Sequence, residues 1–464
     1  MKIPRILIGA GSSGSGKTLI TCGILQALLN RGLKVASFKC GPDYIDPMFH
    51  SRVLGTKSRN LDTFFTSEPV TRHLLEENAQ DADIAVMEGV MGLYDGVGGV
   101  TTQASAYELS CMTRTPAVLV LDCRGMSVSI GAYVKGFLEY KKDNLIQGVI
   151  LNRLSPMLYE RVKNLLEKEM DVKVLGYVPK VSDCVIDSRH LGLVKPEEIP
   201  DFQERLKRLA NILEKTLDLD GLLELAKAAD DLPEVELEQE NPCFSWQLSE
   251  PLNLAVARDD AFCFFYEDNF RLLEKMGAKI LYFSPLKDKE VPREAHGLML
   301  YGGYPELHAR ALSKNKSMKK SIYQRITEGM PCVAECGGFM YLHESMEDME
   351  GDAYKMVGVI PGGAYKTPKL NHRFGYINLS QGVEGVFGQE VGEIPAHEFH
   401  YFDSPNCGTD YLAKKPSSSR SWECMHSRNQ LFVGFPHFHY YGNPQVAKAF
   451  LEKCLEYVHR KGRR

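Results

Sequence analysis

Eight residues near the start of the chain, Gly11–Thr18 (GSSGSGKT), form the complete pattern G-x-x-x-x-G-K-[ST]. The apolar run Arg5–Ala10 before them predicts a strand, and the helical stripe over Thr18–Asn30 after them predicts a helix. A strand, a glycine-rich turn and a helix in this order direct backbone N–H groups toward phosphate oxygens at a helix N-terminus. The chain is therefore constrained to an α/β fold with a nucleoside triphosphate site at this turn.

The residue types within this turn assign the individual roles. Gly11, Gly14 and Gly16 let the backbone approach phosphate closely. Lys17 is expected to reach the β- and γ-phosphates, and the Thr18 hydroxyl is expected to bind Mg²⁺. A nucleoside triphosphate as co-substrate and Mg²⁺ as cofactor follow from the pattern.

Two series of short apolar runs, separated by helical patterns, divide the chain. The first series predicts strands at Val35–Phe38, Ile84–Met87, Ala117–Leu121, Gly148–Leu151 and Val174–Val178, and the second at Leu252–Ala257, Lys279–Phe283, Gly297–Tyr301 and Pro331–Glu335. Strands alternating with helices indicate mostly parallel sheets. We therefore predict two doubly wound α/β domains, at residues 1–203 and 249–464, joined by a helix and an acidic linker at residues 204–248.

Composition excludes several classes of partner. With 44% hydrophobic and 25% charged residues, the chain of 464 residues is an ordinary globular protein. Its net charge of −5 provides no basic field for nucleic acid. No run approaches the roughly 18 apolar residues of a membrane helix, and the N-terminus shows no signal peptide. We expect a cytoplasmic protein without nucleic-acid or membrane partners, and leave its oligomeric state open, a homodimer included.

Polar side chains follow the predicted strands of the first domain. In a doubly wound sheet the carboxyl ends of the strands line one crevice. Carboxylates there would hold a metal ion, and a lysine would offset charge on a transferring phosphoryl group. The residues that this argument selects are Lys39, Asp43, Asp46, Glu88 and Asp95, with Glu88 and Asp95 as Mg²⁺ ligands beside Thr18. Asn152, at another strand end, is a candidate for reading the nucleotide base.

A cysteine occupies a turn in the second domain. Cys336 stands between the strand-like Val333–Glu335 and the helical Phe339–Leu342, and Gly337 and Gly338 follow it. A sulfur at a helix N-terminus has a lowered pKa and an exposed thiolate. The two glycines would permit a strained turn and leave N–H groups for an oxyanion. We predict that Cys336 is a nucleophile.

A nucleophilic thiol needs an imidazole. His437 and His439 follow the apolar run Leu431–Phe435, and alternation along a strand would place both on one face. His437 is the predicted catalytic base, and His439 its possible support. His397 and His400 have the spacing i,i+3 rather than the i,i+4 of a zinc helix, so we do not predict a metal site there.

Six segments together resemble the cobyrinic acid a,c-diamide synthase family, and their order along the chain is that of the family. They are Phe38–Pro47, Glu88–Gly96, Ser188–Leu193, Ala257–Phe262, Gly302–Glu306 and Glu335–Gly338. The resemblance implies a dethiobiotin synthetase-like ATPase domain followed by a class I glutamine amidotransferase domain. His439 stands where the usual amidotransferase triad has glutamate.

The resemblance also implies a reaction, the ATP-dependent amidation of the a and c acetate side chains of a corrinoid with glutamine as nitrogen donor. Nickel sirohydrochlorin and hydrogenobyrinic acid are alternative substrates of close relatives. A non-synthetic ATPase switch and a dethiobiotin-type ligase are further alternatives. Four basic residues of the second domain are candidates for binding substrate carboxylates: Lys366, Lys369, His372 and Arg373. The alternative is that they belong to a solvated basic loop.

Overall fold

A computed structural model describes residues 2–55, 57–181, 184, 188–189, 192–193, 196, 199–368, 373–381 and 384–462. The chain divides into two compact units, Met1–Glu236 and Leu237–Arg464. Each unit is built around a parallel sheet, so the predicted α/β class is confirmed. Every helix among the described residues is too short or too polar to cross a membrane.

The first unit contains a parallel sheet with the strand order β3-β2-β4-β1-β5-β6-β7. These strands are β1 (Arg5–Ala10), β2 (Val35–Cys40), β3 (Arg59–Leu61), β4 (Ile84–Glu88), β5 (Ala117–Asp122), β6 (Ile146–Asn152) and β7 (Lys173–Val178), and a hairpin of β8 (Ser188–Arg189) and β9 (Gly192–Leu193) follows. All six residues of β1 are buried, as expected for a central strand covered on both faces. The carboxyl ends of β1, β2 and β4 lie side by side at one edge.

Helices connect these strands. They are α1 (Lys17–Asn30), α2 (Ile45–Leu54), α3 (Glu68–Ala79), α4 (Ala106–Met112), α5 (Ser129–Tyr140), α6 (Pro156–Glu169), α7 (Phe202–Thr216) and α8 (Leu219–Lys227). The region that we predict as a helix and an acidic linker holds α7 and α8, whose buried leucines include Leu209, Leu213 and Leu222. Most of this region therefore packs as part of the first unit, although its acidic residues face outward.

The second unit contains a parallel sheet with the strand order β11-β10-β12-β13-β22. The strands of the second unit are β10 (Leu252–Ala257), β11 (Ala278–Phe283), β12 (Gly297–Leu300), β13 (Cys332–Glu335), β14 (His343–Glu347), β15 (Ala353–Lys355), β16 (Ile360–Lys366), β17 (Gly375–Gln381), β18 (Ile394–Glu398), β19 (Phe402–Asp403), β20 (Tyr411–Lys414), β21 (Ser421–Cys424), β22 (Leu431–Gly434) and β23 (His437–Phe438). Its helices are α9 (Leu237–Glu240), α10 (Glu267–Lys275), α11 (Ala309–Lys314), α12 (Lys316–Thr327), α13 (Gly337–Leu342) and α14 (Pro444–Gly462).

Two further sheets accompany the parallel one. They have the orders β15-β14-β16-β19 and β21-β20-β17-β18-β23. In the second of these, β18 pairs with β23 so that His397 lies opposite His437. The segment that carries His437 therefore links the end of the parallel sheet to an antiparallel one.

Candidate active sites

The phosphate-binding turn has the backbone that its sequence predicts. Gly14 and Gly16 have φ angles of 75° and 90°, which favour glycine over residues with a Cβ. The Lys17 ammonium donates hydrogen bonds to the carbonyl oxygens of Met91 and Ser12. Burial, together with the nearby charge of Lys39, lowers the pKa of Lys17 to about 8. An anion bound in the turn would raise the pKa of Lys17 again.

A buried charge network lies at the carboxyl ends of β2 and β4. Lys39 Nζ is 2.6 Å from Asp46 Oδ2 and 3.0 Å from Glu88 Oε1, and it also donates to the carbonyl oxygen of Gly89. The Glu88 carboxylate accepts a hydrogen bond of 2.7 Å from the Thr18 hydroxyl. The structure thus brings four of the predicted residues, Thr18, Lys39, Asp46 and Glu88, into one contiguous group.

His50 belongs to the same network, although it is not among the residues predicted from the sequence. Its Nε2 lies 2.7 Å from Glu88 Oε2, and the side chain is fully buried. His50 is four residues after Asp46 on α2, a spacing that places two side chains on one helix face. That spacing is the signal that would have found it.

The network sets the protonation of its members. Burial alone would raise the pKa of Glu88, but Lys39 and His50 hold it well below its usual range. Burial and the charge of Asp43 raise the pKa of Asp46 to about 8, against the opposing effect of Lys39. Glu88 is therefore the more firmly ionised of the two carboxylates that contact Lys39.

Three further predicted residues hold loops in place. Asp43 Oδ1 accepts hydrogen bonds from the backbone N–H groups of Ile45 and Asp46, and so starts α2. Asp95 Oδ2 accepts the N–H of Gly92. Asn152 Nδ2 donates to the Ser15 carbonyl oxygen within the phosphate-binding turn, at 2.8 Å. The roles of Asp95 at a metal ion and of Asn152 at a base stay predictions.

The residues at this turn fit Mg²⁺. Thr18 and Glu88 present neighbouring oxygen donors, the ligand type that Mg²⁺ prefers. Among the described residues, no three His, Cys, Asp or Glu side chains converge on a metal position. The protein alone thus offers a partial oxygen donor set, which phosphate oxygens and waters would complete.

Cys336 occupies a strained turn between β13 and α13. It has a φ of 46° and a ψ of −104°, whereas Gly337 and Gly338 do not have positive φ angles. The strain that we predicted for the glycines is therefore located at the cysteine itself. The glycines serve close packing instead, because a Cβ at Gly338 would lie 1.9 Å from the Leu300 carbonyl oxygen.

The environment of the thiol differs from the one predicted. The helix α13 has only six residues, and the Cys336 side chain is buried. Burial, followed by the charge of Glu306, raises the pKa of Cys336 above its usual range. The expectation of a lowered pKa is therefore wrong, because desolvation outweighs the N–H group of Gly337.

His437 lies beside the residue that precedes the thiol. Its Nδ1 is 3.3 Å from Glu335 Oε2, and both side chains are buried. Burial, followed by the charge of His400, lowers the pKa of His437 to about 3, and burial raises the pKa of Glu335 well above its usual range. A charge on only one of the two side chains is thus unfavourable. A negative charge on Glu335 and a positive charge on His437 would stabilise each other.

The remaining histidines near this site occupy separate positions. The ring of His439 packs against Tyr266, with ring centroids 5.0 Å apart. His400 Nε2 is 3.1 Å from Glu398 Oε2, and its ring stacks on Phe435. The support that we predict from His439 to His437 stays a prediction.

The predicted basic cluster is described in part. Lys369 and His372 lie outside the described residues. Arg373 Nη1 is 3.3 Å from Asp403 Oδ1, and Lys366 Nζ donates to the carbonyl oxygen of Met349. Both described cations already have protein partners, and their binding of substrate carboxylates stays a prediction.

Comparison with known proteins places both sites in known domain types. Residues 6–193 match the CobQ/CobB/MinD/ParA nucleotide binding domain, and residues 253–440 match the CobB/CobQ-like glutamine amidotransferase domain. The first domain contains the phosphate-binding turn, and the second contains Cys336 and His437.

Relatives of full length share both domains. The cobyrinate a,c-diamide synthase of Listeria innocua serovar 6a is 40% identical over 95% of this chain and 97% of the relative. The proteins of the same name from Caldanaerobacter subterraneus subsp. tengcongensis and Priestia megaterium are 35% and 37% identical, over 98% and 97% of this chain and 99% and 97% of the relatives. The chain belongs to the cobyrinate a,c-diamide synthase family.

Proposed function

We propose that this protein is a glutamine-dependent ligase that uses ATP to amidate the a and c acetate carboxylates of cobyrinic acid in cobalamin biosynthesis. The presence of two separate sites on one chain carries the proposal. A nucleotide-binding turn with a buried lysine–carboxylate network supports carboxylate activation, and a cysteine whose preceding residue, Glu335, contacts the His437 imidazole supports release of nitrogen from glutamine. The names of the full-length relatives support cobyrinic acid as the substrate.

The first site serves to activate the carboxylate. A carboxylate repels nucleophiles because of its negative charge, and transfer of the γ-phosphoryl group converts it into an acyl phosphate with a good leaving group. Lys17 and Lys39 offset the charge of the phosphoryl group during transfer. Thr18 and Glu88 would hold Mg²⁺, which supplies further charge neutralisation when it is bound.

The second site serves to supply ammonia. Cys336 Sγ attacks the amide carbon of glutamine, and His437 transfers the thiol proton to the departing nitrogen. Water then hydrolyses the thioester and releases glutamate. The ammonia displaces phosphate from the acyl phosphate, so each amidation consumes one ATP and one glutamine.

An assay of amide formation tests this proposal. Purified protein is incubated with ATP, Mg²⁺, glutamine and, in turn, cobyrinic acid, hydrogenobyrinic acid or nickel sirohydrochlorin, and the amides formed are counted by mass spectrometry. We expect two amides on cobyrinic acid, with stoichiometric ADP and glutamate. ATP hydrolysis without amidation of any tetrapyrrole would favour the ATPase switch. Formation of two amides only on hydrogenobyrinic acid or only on nickel sirohydrochlorin would identify that tetrapyrrole as the substrate instead.

Substitution of Gly302 by alanine is expected to impair the release of ammonia from glutamine. A Cβ at this position would lie 2.7 Å from His437 Cε1, so the imidazole must move. A displacement of about 1 Å at a reacting group lowers rates by about 10²-fold. We therefore expect glutamine hydrolysis to fall by about 10- to 100-fold, with amidation from added ammonium salts unchanged. Gly136→Ala, where the added Cβ meets open space, is the control; equal glutaminase rates in both variants would contradict the prediction.

A further inference from the structure

A buried carboxylate stands directly before the thiol. Glu335 is the last residue of β13, it is 1% exposed, and its Oε2 lies 3.3 Å from His437 Nδ1. A buried carboxylate is unfavourable unless a cation or hydrogen-bond donors compensate it. Within the part of the chain that the structure describes, the ion-pair partner of Glu335 is His437, and the backbone N–H of Phe438 also donates to the carboxylate.

The parallel pairing of two strands brings these groups together. In the register of β13 and β22, Glu335 lies opposite Gly434, and the Cys336 N–H donates to the Gly434 carbonyl oxygen at 2.8 Å. Only two residues separate Gly434 from His437. The histidine therefore emerges at the same sheet edge as Glu335 and Cys336, whatever the distance between them in sequence.

The loop after β12 fixes the other side of the imidazole. A Cβ at Gly302 would lie 2.7 Å from His437 Cε1 and 3.6 Å from its Nε2. The next residue of that loop, Gly303, has its backbone nitrogen 3.2 Å from the Cβ position of Gly337, which follows the thiol. The Cε1–Nε2 edge of the ring thus faces the loop that also contacts the cysteine turn, while Nδ1 faces Glu335.

We propose that Glu335 is a positioning residue that holds the Nδ1 side of His437 and leaves Nε2 to accept the proton of Cys336. This inference rests on the proposed glutaminase activity. When the thiol ionises, the S–H bond breaks, its electron pair stays on sulfur and the proton forms a bond to Nε2. The carboxylate then offsets the positive charge on the ring and keeps the hydrogen on Nδ1.

His439 lacks the chemistry for this role. It stands two residues after His437, where the usual triad has glutamate, but an imidazole supplies no negative charge. Its ring packs against Tyr266 and Tyr441, and burial lowers the pKa of His439 to about 3. Glu335 thus provides, from the residue before the nucleophile, the carboxylate that is missing after the histidine.

Two substitutions of Glu335 test this inference in the full-length protein. Glu335→Gln keeps the shape of the side chain and removes its charge, whereas Glu335→Asp keeps the charge on a shorter stem. We expect Glu335→Gln to lower kcat for glutamine hydrolysis by about 10²- to 10³-fold, with KM for glutamine within about twofold. Glu335→Asp should retain an intermediate kcat. Ammonia-dependent amidation should be unchanged in both variants, as should every activity of Glu328→Gln, a control at an exposed glutamate of the same unit.

Two results would overturn the inference. One is a kcat of Glu335→Gln within about threefold of the unaltered protein while His439→Gln loses glutamine hydrolysis. The other is an equal loss in Glu335→Gln and Glu335→Asp, which would show that the loss does not come from removal of the charge. Cys336→Ser, assayed in parallel, distinguishes a failure of the proposed glutaminase activity from a failure of the proposed role of Glu335. If that variant still hydrolysed glutamine, the proposed function of the thiol would fail, and not only the role of Glu335.

Discussion

Replacement of Cys336 by serine is expected to abolish amidation from glutamine and to leave amidation from ammonium salts intact. Serine is nearly the same size as cysteine, so the turn between β13 and α13 should survive. Its hydroxyl is a much weaker nucleophile at neutral pH, and no thioester would form. The loss of a nucleophile that acts together with its base lowers kcat by about 10³-fold or more. Glutamate release and amide formation, measured with each nitrogen source, check this result.

The chain offers a matched control for this substitution. Cys243 is a half-buried cysteine of the same unit, and it stands in a short turn after α9. Cys243→Ser should keep the rates of the unaltered protein with both nitrogen sources. The assignment of the thiol would be wrong if Cys336→Ser retained glutamine-dependent activity, or if it lost activity with ammonia to the same extent.

Replacement of Lys17 by methionine is expected to abolish amidation from both nitrogen sources. Methionine keeps the length and burial of the side chain but removes the ammonium that the phosphate-binding turn contributes. Without this charge, the developing negative charge on the phosphoryl oxygens is less stabilised, and removal of one such group lowers rates by about 10²- to 10³-fold. ADP formation and amide formation should fall together, whichever nitrogen source is supplied.

Lys135→Met is the control for this substitution. Lys135 is an exposed lysine of α5 in the same unit, and its replacement should leave both rates unchanged. The pair Lys17→Met and Cys336→Ser therefore separates carboxylate activation from nitrogen supply. If Lys17→Met kept amidation at the rate of the unaltered protein, activation of the carboxylate at this turn would be contradicted.

The parallel sheets of both units could be predicted from short apolar runs. Leu252–Ala257 and Arg5–Ala10 are strands with the predicted bounds, because a strand buried on both faces is almost continuously apolar. The strands from β14 to β21 were not predicted. One of them, Ile360–Lys366, includes a proline and two glycines and has only two buried residues, so neither its periodicity nor its composition is typical of a strand.

The contacts between site residues could be predicted where the order of the strands alone brings the residues together. Lys39 and Glu88 end adjacent parallel strands, and their contact follows from the strand order. The contact of Glu335 with His437 depends on the register of β13 and β22, which are about a hundred residues apart in sequence. The pKa of Cys336 depends on how deeply the turn is buried, and the sequence of the turn does not determine this depth.

The burial of Cys336 has a consequence for the reaction of its thiol with peroxide. Peroxide oxidises thiolates much faster than thiols, and the product of that reaction is a sulfenic acid that no longer attacks an amide. Burial raises the pKa of the Cys336 thiol, and a thiol with a raised pKa offers little thiolate to peroxide. The same desolvation that makes the sulfur a poor nucleophile therefore also slows its oxidation by peroxide.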